Sequence, residues 1–79
     1  MKIFAIKHSE ANSLSYFLIP LGYQPVYIIS DRIEDVPIYI IYVNLPGEIE
    51  MLIRLRFQLL TIPEQLLNQV DVAWVVNNI

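Results

Sequence analysis

Two apolar runs that nearly repeat each other, Pro25-Val26-Tyr27-Ile28-Ile29 and Pro37-Ile38-Tyr39-Ile40-Ile41, flank the polar segment Asp31-Arg32-Ile33-Glu34-Asp35. β-branched and aromatic residues dominate both runs, and such side chains suit a pleated, half-buried surface. A five-residue polar loop between two such runs predicts an antiparallel hairpin. In the symmetric register Tyr27 opposes Tyr39 and Ile28 opposes Ile38, pairs worth roughly 0.2–1 kcal/mol each. Both arms are apolar on both faces: Ile38 and Ile40 alternate with Tyr39, Ile41 and Val43.

Before the hairpin, Lys2–Lys7 alternates as a short strand, Ile3 and Ala5 pointing one way and Phe4 and Ile6 the other. Apolar residues on both sides make it a central strand. Ser9 to Ile19 has the spacing of a helix, with Ala11, Leu14, Leu18 and Leu21 three and four apart. Ser9 is the expected N-cap, Glu10 suits the first turn, and Pro20 and Gly22 close the element.

After the hairpin, Asn44-Leu45-Pro46-Gly47-Glu48 breaks the pattern, and Glu48–Leu60 (EIEMLIRLRFQLL) carries two signals. Its composition is helical, and Glu50 and Arg54 form an (i, i+4) pair. Its alternation is that of a strand, with Ile49, Met51, Ile53, Leu55, Phe57 and Leu59 all apolar. Length and the capping-box pattern at Thr61 and Glu64 favour the helix. On that helix Ile49, Leu52, Ile53, Leu59 and Leu60 form the buried arc, and Arg56 falls inside it, which demands a paired or emerging guanidinium. Thr61–Gln69 is then a short helix, Asp71–Val76 a final strand, and Asn77–Ile79 a tail.

This order, β-α-β-β-α-β, predicts an α+β fold of ferredoxin-like type, with strands one and three central and parallel and both helices on one sheet face. The other face is left open and apolar. The alternative is a β-rich meander in which 48–60 is a strand and the chain ends in a helix.

Composition sharpens this picture. The chain has 79 residues, so one domain, and 56% of it is hydrophobic against 16% charged. That is more apolar than one small core needs, and a second buried surface, against a copy of the chain or another protein, accounts for the surplus. The opening MKIFAIKHSE lacks the apolar run of a signal peptide, and Pro20, Gly22 and Pro25 interrupt the uncharged stretch 11–30. A cytoplasmic protein without membrane association is expected. Net charge is −3, and it is concentrated in residues 31–50, where Arg32 stands against Asp31, Glu34, Asp35, Glu48 and Glu50. Five scattered basic residues argue against nucleic-acid binding. The absence of cysteine removes disulfides and thiolate zinc sites.

Candidate chemistry is sparse. His8, the single histidine, sits at a strand-to-helix junction beside Ser9 and Glu10. It reads as a general base or as an exposed strand-end residue, and spacing fixes no nucleophile beside it. Asp31, Glu34 and Asp35 read as a solvated hairpin tip rather than a cation loop, because the spaced ligands and mid-loop glycine of an EF-hand are missing. Tyr27 and Tyr39, with Phe4 and Trp74, suggest an aromatic sheet face. The basic-residue-and-glycine signature of RNA-recognition strands is absent from Val36–Ile40. Leu45-Pro46-Gly47-Glu48 is similar to the strand-to-helix loop of ACT amino-acid-binding domains, which share the β-α-β-β-α-β order. That resemblance implies ligand contacts from the amides of Gly47 and Glu48. In that family, however, the loop follows the first strand, and here it follows the third.

The expected function is a small non-enzymatic protein-binding module, an inhibitor or adaptor of a larger assembly of the kind mobile elements encode. It would bind a protein partner or its own copy through Tyr27, Tyr39 and Ile41 on a sheet face and Asp31, Glu34 and Asp35 on the acidic loop. No cofactor, metal or catalytic residue is expected. The alternatives are a cofactor-free dimeric α+β-barrel enzyme using His8, and an ACT-like small-molecule sensor.

Overall fold

Glu34 and Asp35 alone close the hairpin, both with positive φ (50° and 66°), and that pair of residues sets the register of everything behind it. The computed structural model describes residues 3–77. Its elements are β1 (Ile3–Lys7), α1 (His8–Leu18), β2 (Val26–Ile33), β3 (Val36–Tyr42), α2 (Gly47–Arg56), β4 (Leu59–Leu60), α3 (Glu64–Leu67) and α4 (Val72–Asn77). Together they form a small α+β domain. Its sheet has the order β2-β3-β1-β4 with every pairing antiparallel.

The hairpin register differs from the symmetric one. A two-residue turn with both residues left-handed matches the right-handed twist of the flanking strands, so Asp31, Arg32 and Ile33 join β2 instead of a loop. Ile33 then pairs with Val36 and Ser30 with Tyr39. A bulge at Ile28 shifts the ladder once, and Tyr27 opposes Ile41 rather than Tyr39. Ile28 and Ile29 consequently both pack on one side of the sheet.

α1 begins at His8, with Lys7 in the extended N-cap position and no side-chain cap, so Ser9 lies inside the helix. The regular helix ends at Leu18, and Ile19-Pro20-Leu21 forms a single 3₁₀ turn. Gly22 adopts φ 93° at its end, with its amide on the Ile19 carbonyl (2.9 Å) and the Tyr23 amide on the Leu18 carbonyl (3.1 Å). That left-handed closure is the role expected of Gly22.

β1 and β3 are central, as expected, but they run antiparallel, with Ile3 opposite Tyr42 and Lys7 opposite Ile38. The segment 48–60 is both helix and strand. α2 stops at Arg56, and after Phe57 and Gln58 the chain pairs Leu59 and Leu60 with Ile6 and Ala5. Those two residues take the sheet edge that Asp71–Val76 was expected to fill. The latter segment is helical: the Asp71 carboxylate accepts the Trp74 amide (2.9 Å) and its carbonyl accepts the Val75 amide (3.0 Å). A capping aspartate with no strand left to pair with outweighs the preference of valine for extended backbone. The helix expected over 61–69 shrinks to α3, which starts after Pro63 rather than at Thr61. Lys2 and the expected tail residues Asn78 and Ile79 lie outside the described residues.

Both sheet faces are covered. On one, Phe4, Ile6, Ile41 and Val43 pack under Ala11, Leu14 and Leu18 of α1 and Ile53 of α2. On the other, Ile38 and Ile40 are sealed by Leu66 and Val70, with Ile62 and Leu60 beside them. The face expected to be open is closed by the C-terminal segment.

Candidate functional site

The α1 N-terminus lies beside the inner face of the hairpin, and this brings one aromatic cluster together. The His8 ring stacks on Tyr39 with centroids 3.8 Å apart and planes 20° from parallel. Tyr39 in turn touches Tyr27 (4.9 Å, tilted), because the shifted register makes the two rings diagonal rather than direct neighbours. The Tyr27 hydroxyl hydrogen-bonds the Ser15 hydroxyl on α1 at 2.7 Å.

His8 Nε2 lies 3.1 Å from the Ile38 carbonyl and 3.2 Å from the Ser30 hydroxyl. A carbonyl oxygen only accepts, so Nε2 carries the hydrogen in the first contact. The same nitrogen has no lone pair left to take a proton from Ser30. The arrangement orients the ring and ties α1 to the hairpin; it does not activate a serine. His8 lines none of the three surface depressions described below.

The six expected contact residues are dispersed. Ile41 is fully buried beneath α1 and offers no surface, because the helix covers the face on which it stands. Tyr39 is half-buried between His8 and Tyr27, and Tyr27 is the one exposed aromatic of the hairpin. Asp31 points its carboxylate back to the Arg32 amide (2.7 Å), and the Arg32 guanidinium is bound to the Asp35 carbonyl. Glu34 and Asp35 stand exposed at the tip. Among the described residues no three His, Asp or Glu side chains converge as a metal set, and no helix is long and apolar enough to cross a membrane.

The surface that sequence reasoning missed lies on α2. Only Ile53 of this helix is fully buried, whereas Met51 is 65%, Leu52 48% and Leu55 81% exposed. At 3.6 residues per turn, Met51, Leu55, Glu48 and Leu52 form one stripe on the side opposite Ile53. Leu52 was expected in the buried arc. That arc included Leu59 and Leu60, which have left the helix for β4. The available signal was that the charged residues Glu48, Glu50, Arg54 and Arg56 leave two apolar sectors on 47–56, one at Ile49 and Ile53 and one at Met51, Leu52 and Leu55, and a single core contact covers only one of them.

The charged residues of α2 flank this stripe. Arg54 pairs with Glu50 (3.1 Å) and sits over the Phe4 ring at 5.3 Å. Arg56 emerges from the edge of the buried arc and sits over Phe17 at 4.9 Å, which resolves its position inside an apolar sector. Tyr16 of α1, also 80% exposed, lines a shallow depression with Phe17, Arg56 and Phe57. A second depression is lined by Gly47, Glu50, Met51 and Arg54, and a third by residues of β1, β4 and 61–67 around Arg54. The amides implied by the ACT resemblance, those of Gly47 and Glu48, fall in the first turn of α2, which also carries the Glu50 carboxylate paired with Arg54.

No family model, curated protein or solved structure matches this chain.

Proposed function

We propose that this chain is a small non-enzymatic protein-binding module, an inhibitor or adaptor that acts by occupying a surface of a larger assembly. The single observation that carries this reading is the apolar stripe Met51-Leu52-Leu55 on the solvent side of α2, above a core that is already complete on both sheet faces. Exposed large apolar side chains grouped on one rigid element mark an interaction site more often than chance surface composition. The acidic tip, Glu34 and Asp35, supplies a second contact suited to a basic partner, since complementary charge steers association. The fold that presents these surfaces is of ferredoxin-like type, with the β-α-β-β-α-β core extended by α3 and α4. The strand order β2-β3-β1-β4 and the placement of α1 and α2 on one face support that assignment.

The test is affinity capture with mass-spectrometric readout. It compares the wild type, Leu55→Glu, and the tip variant Glu34→Gln/Asp35→Asn, each first shown to melt like the wild type. A protein retained by the wild type and lost from either variant supports the module. A set of captured proteins identical for all three chains, or none at all, sinks it.

A further inference from the structure

We infer that Asp31 is a built-in block on the open edge of the sheet. Its carboxylate occupies a backbone amide that another strand would need, and so keeps two copies of this chain from pairing β2 to β2. This device is independent of the surfaces assigned above to partner binding.

β2 is the outermost strand in the order β2-β3-β1-β4, and at 8 residues it is a long edge. An edge strand rich in β-branched residues offers its outward N–H and C=O groups to any strand that meets it. The turn decides which groups point outward. A two-residue turn makes its flanking residues, Ile33 and Val36, a hydrogen-bonded pair, and bonded and non-bonded pairs alternate from there. Arg32 opposite Pro37 and Ser30 opposite Tyr39 are therefore non-bonded pairs, and their backbone groups face away from β3. Beyond Ile29 the bulge at Ile28 ends the regular alternation. The regular outward edge is thus Ser30 and Arg32.

Asp31, between them, closes that edge. The Arg32 amide donates to the Asp31 carboxylate at 2.7 Å, so one of the outward donors is already taken. The Arg32 guanidinium is bound to the Asp35 carbonyl, which ties the same end of the edge to the turn.

The edge is self-complementary in one register, and this names the strand that is kept off. An antiparallel neighbour bonds only through outward residues, and using both sets Ser30 against Arg32 of the second copy on each side of a two-fold axis. The pair on the axis is then Asp31 against Asp31 of the second copy. Like charges directly opposite across a ladder are destabilising. Asp31 opposes this pairing twice, by capping a donor and by setting carboxylate against carboxylate.

The experiment is backbone amide hydrogen exchange of the full chain, read by NMR, with sedimentation equilibrium from about 10 µM to about 1 mM, the range of a weak dimer. The chains are the wild type, Asp31→Ala and Asp31→Asn, and thermal melts confirm that each is folded. Within the wild type the Arg32 amide, corrected for intrinsic rate, is expected to be about tenfold more protected than the Ser30 amide. That comparison needs no substitution. At low concentration Asp31→Ala is expected to lose this protection, and Asp31→Asn, which keeps the acceptor oxygen, to retain it within about threefold. As concentration rises, Asp31→Ala is expected to dimerise and its Ser30 and Arg32 amides to gain about tenfold protection, while the other two chains show no such gain. Equal protection of Arg32 and Ser30 in the wild type overturns the cap. An alanine variant that stays monomeric, or dimerises with its β2 amides unprotected, overturns the block. A wild type whose Ser30 amide gains protection with concentration overturns it as well. An asparagine variant that pairs as the alanine variant does overturns the role of the hydrogen bond.

Discussion

The imidazole of His8 lies nearly flat on the ring of Tyr39, 3.8 Å away, although 30 residues separate them in the chain. The stack joins the start of α1 to the centre of β3, and the contacts of Nε2 with Ile38 and Ser30 hold it in place. The lone histidine is thereby a structural link between helix and hairpin. His8→Ala removes a ring contact and a hydrogen bond and is expected to cost about 1–2 kcal/mol, read as a lowered urea midpoint. An unchanged midpoint would mean that the stack contributes nothing to folding.

The hairpin turn holds two non-glycine residues at positive φ. Glutamate at such a position carries a steric cost of roughly 1 kcal/mol, and Asn-Gly is the pair that suits this turn best. Glu34→Asn with Asp35→Gly should raise stability by about 0.5–1.5 kcal/mol, measured by chemical denaturation. Destabilisation of the double variant would show that the turn is not of this two-residue type.

Ile53 and Leu55 lie on opposite sides of α2, one fully buried and one 81% exposed. Ile53→Ala should cost about 2–5 kcal/mol by opening a cavity under the helix. Leu55→Ala should change monomer stability by less than about 0.5 kcal/mol. Chemical denaturation separates the two, and equal effects would mean that the helix is rotated from the orientation described.

Asp71 caps α4 through the Trp74 amide. Asp71→Ala is expected to lose about 1 kcal/mol from that helix. Trp74 is the only tryptophan, so its fluorescence reports locally. The emission should shift at lower denaturant in the variant than in the wild type. Coincident transitions would place the segment outside the cooperative unit or deny the cap.

Much of this fold was legible from local signals. The α1 spacing Ala11-Leu14-Leu18, the Gly22 closure and the two strands of the hairpin each follow from interactions within a few residues. The central position of β1 followed from its two-sided apolarity. The candidate surface was half legible. The acidic tip is exposed, as its composition implied, but Ile41 is core and the α2 stripe went unseen. A helical wheel drawn through Leu60 counts two residues that belong to the sheet, and this turns Leu52 inward on paper.

The sequence alone determined which stretches are ordered, where they break, and that the chain carries more apolar side chains than one core needs. These are properties of short-range sterics, capping and composition. Tertiary structure alone decided the register of the hairpin, the fate of 59–76 and the direction in which α2 faces. The near-repeat PVYII and PIYII permits several registers, and the turn geometry of Glu34 and Asp35 chose one. Leu59–Leu60, helical by composition, and Asp71–Val76, extended by composition, compete for one sheet edge, and β1 pairs with the former. Local preferences of about 1 kcal/mol do not separate such competitors; the strand already seated on the edge does. α2, with apolar residues on two sides, turned Ile53 to the core and left Met51, Leu52 and Leu55 outside. One sheet face buries only one side of a helix, and the other side faces solvent.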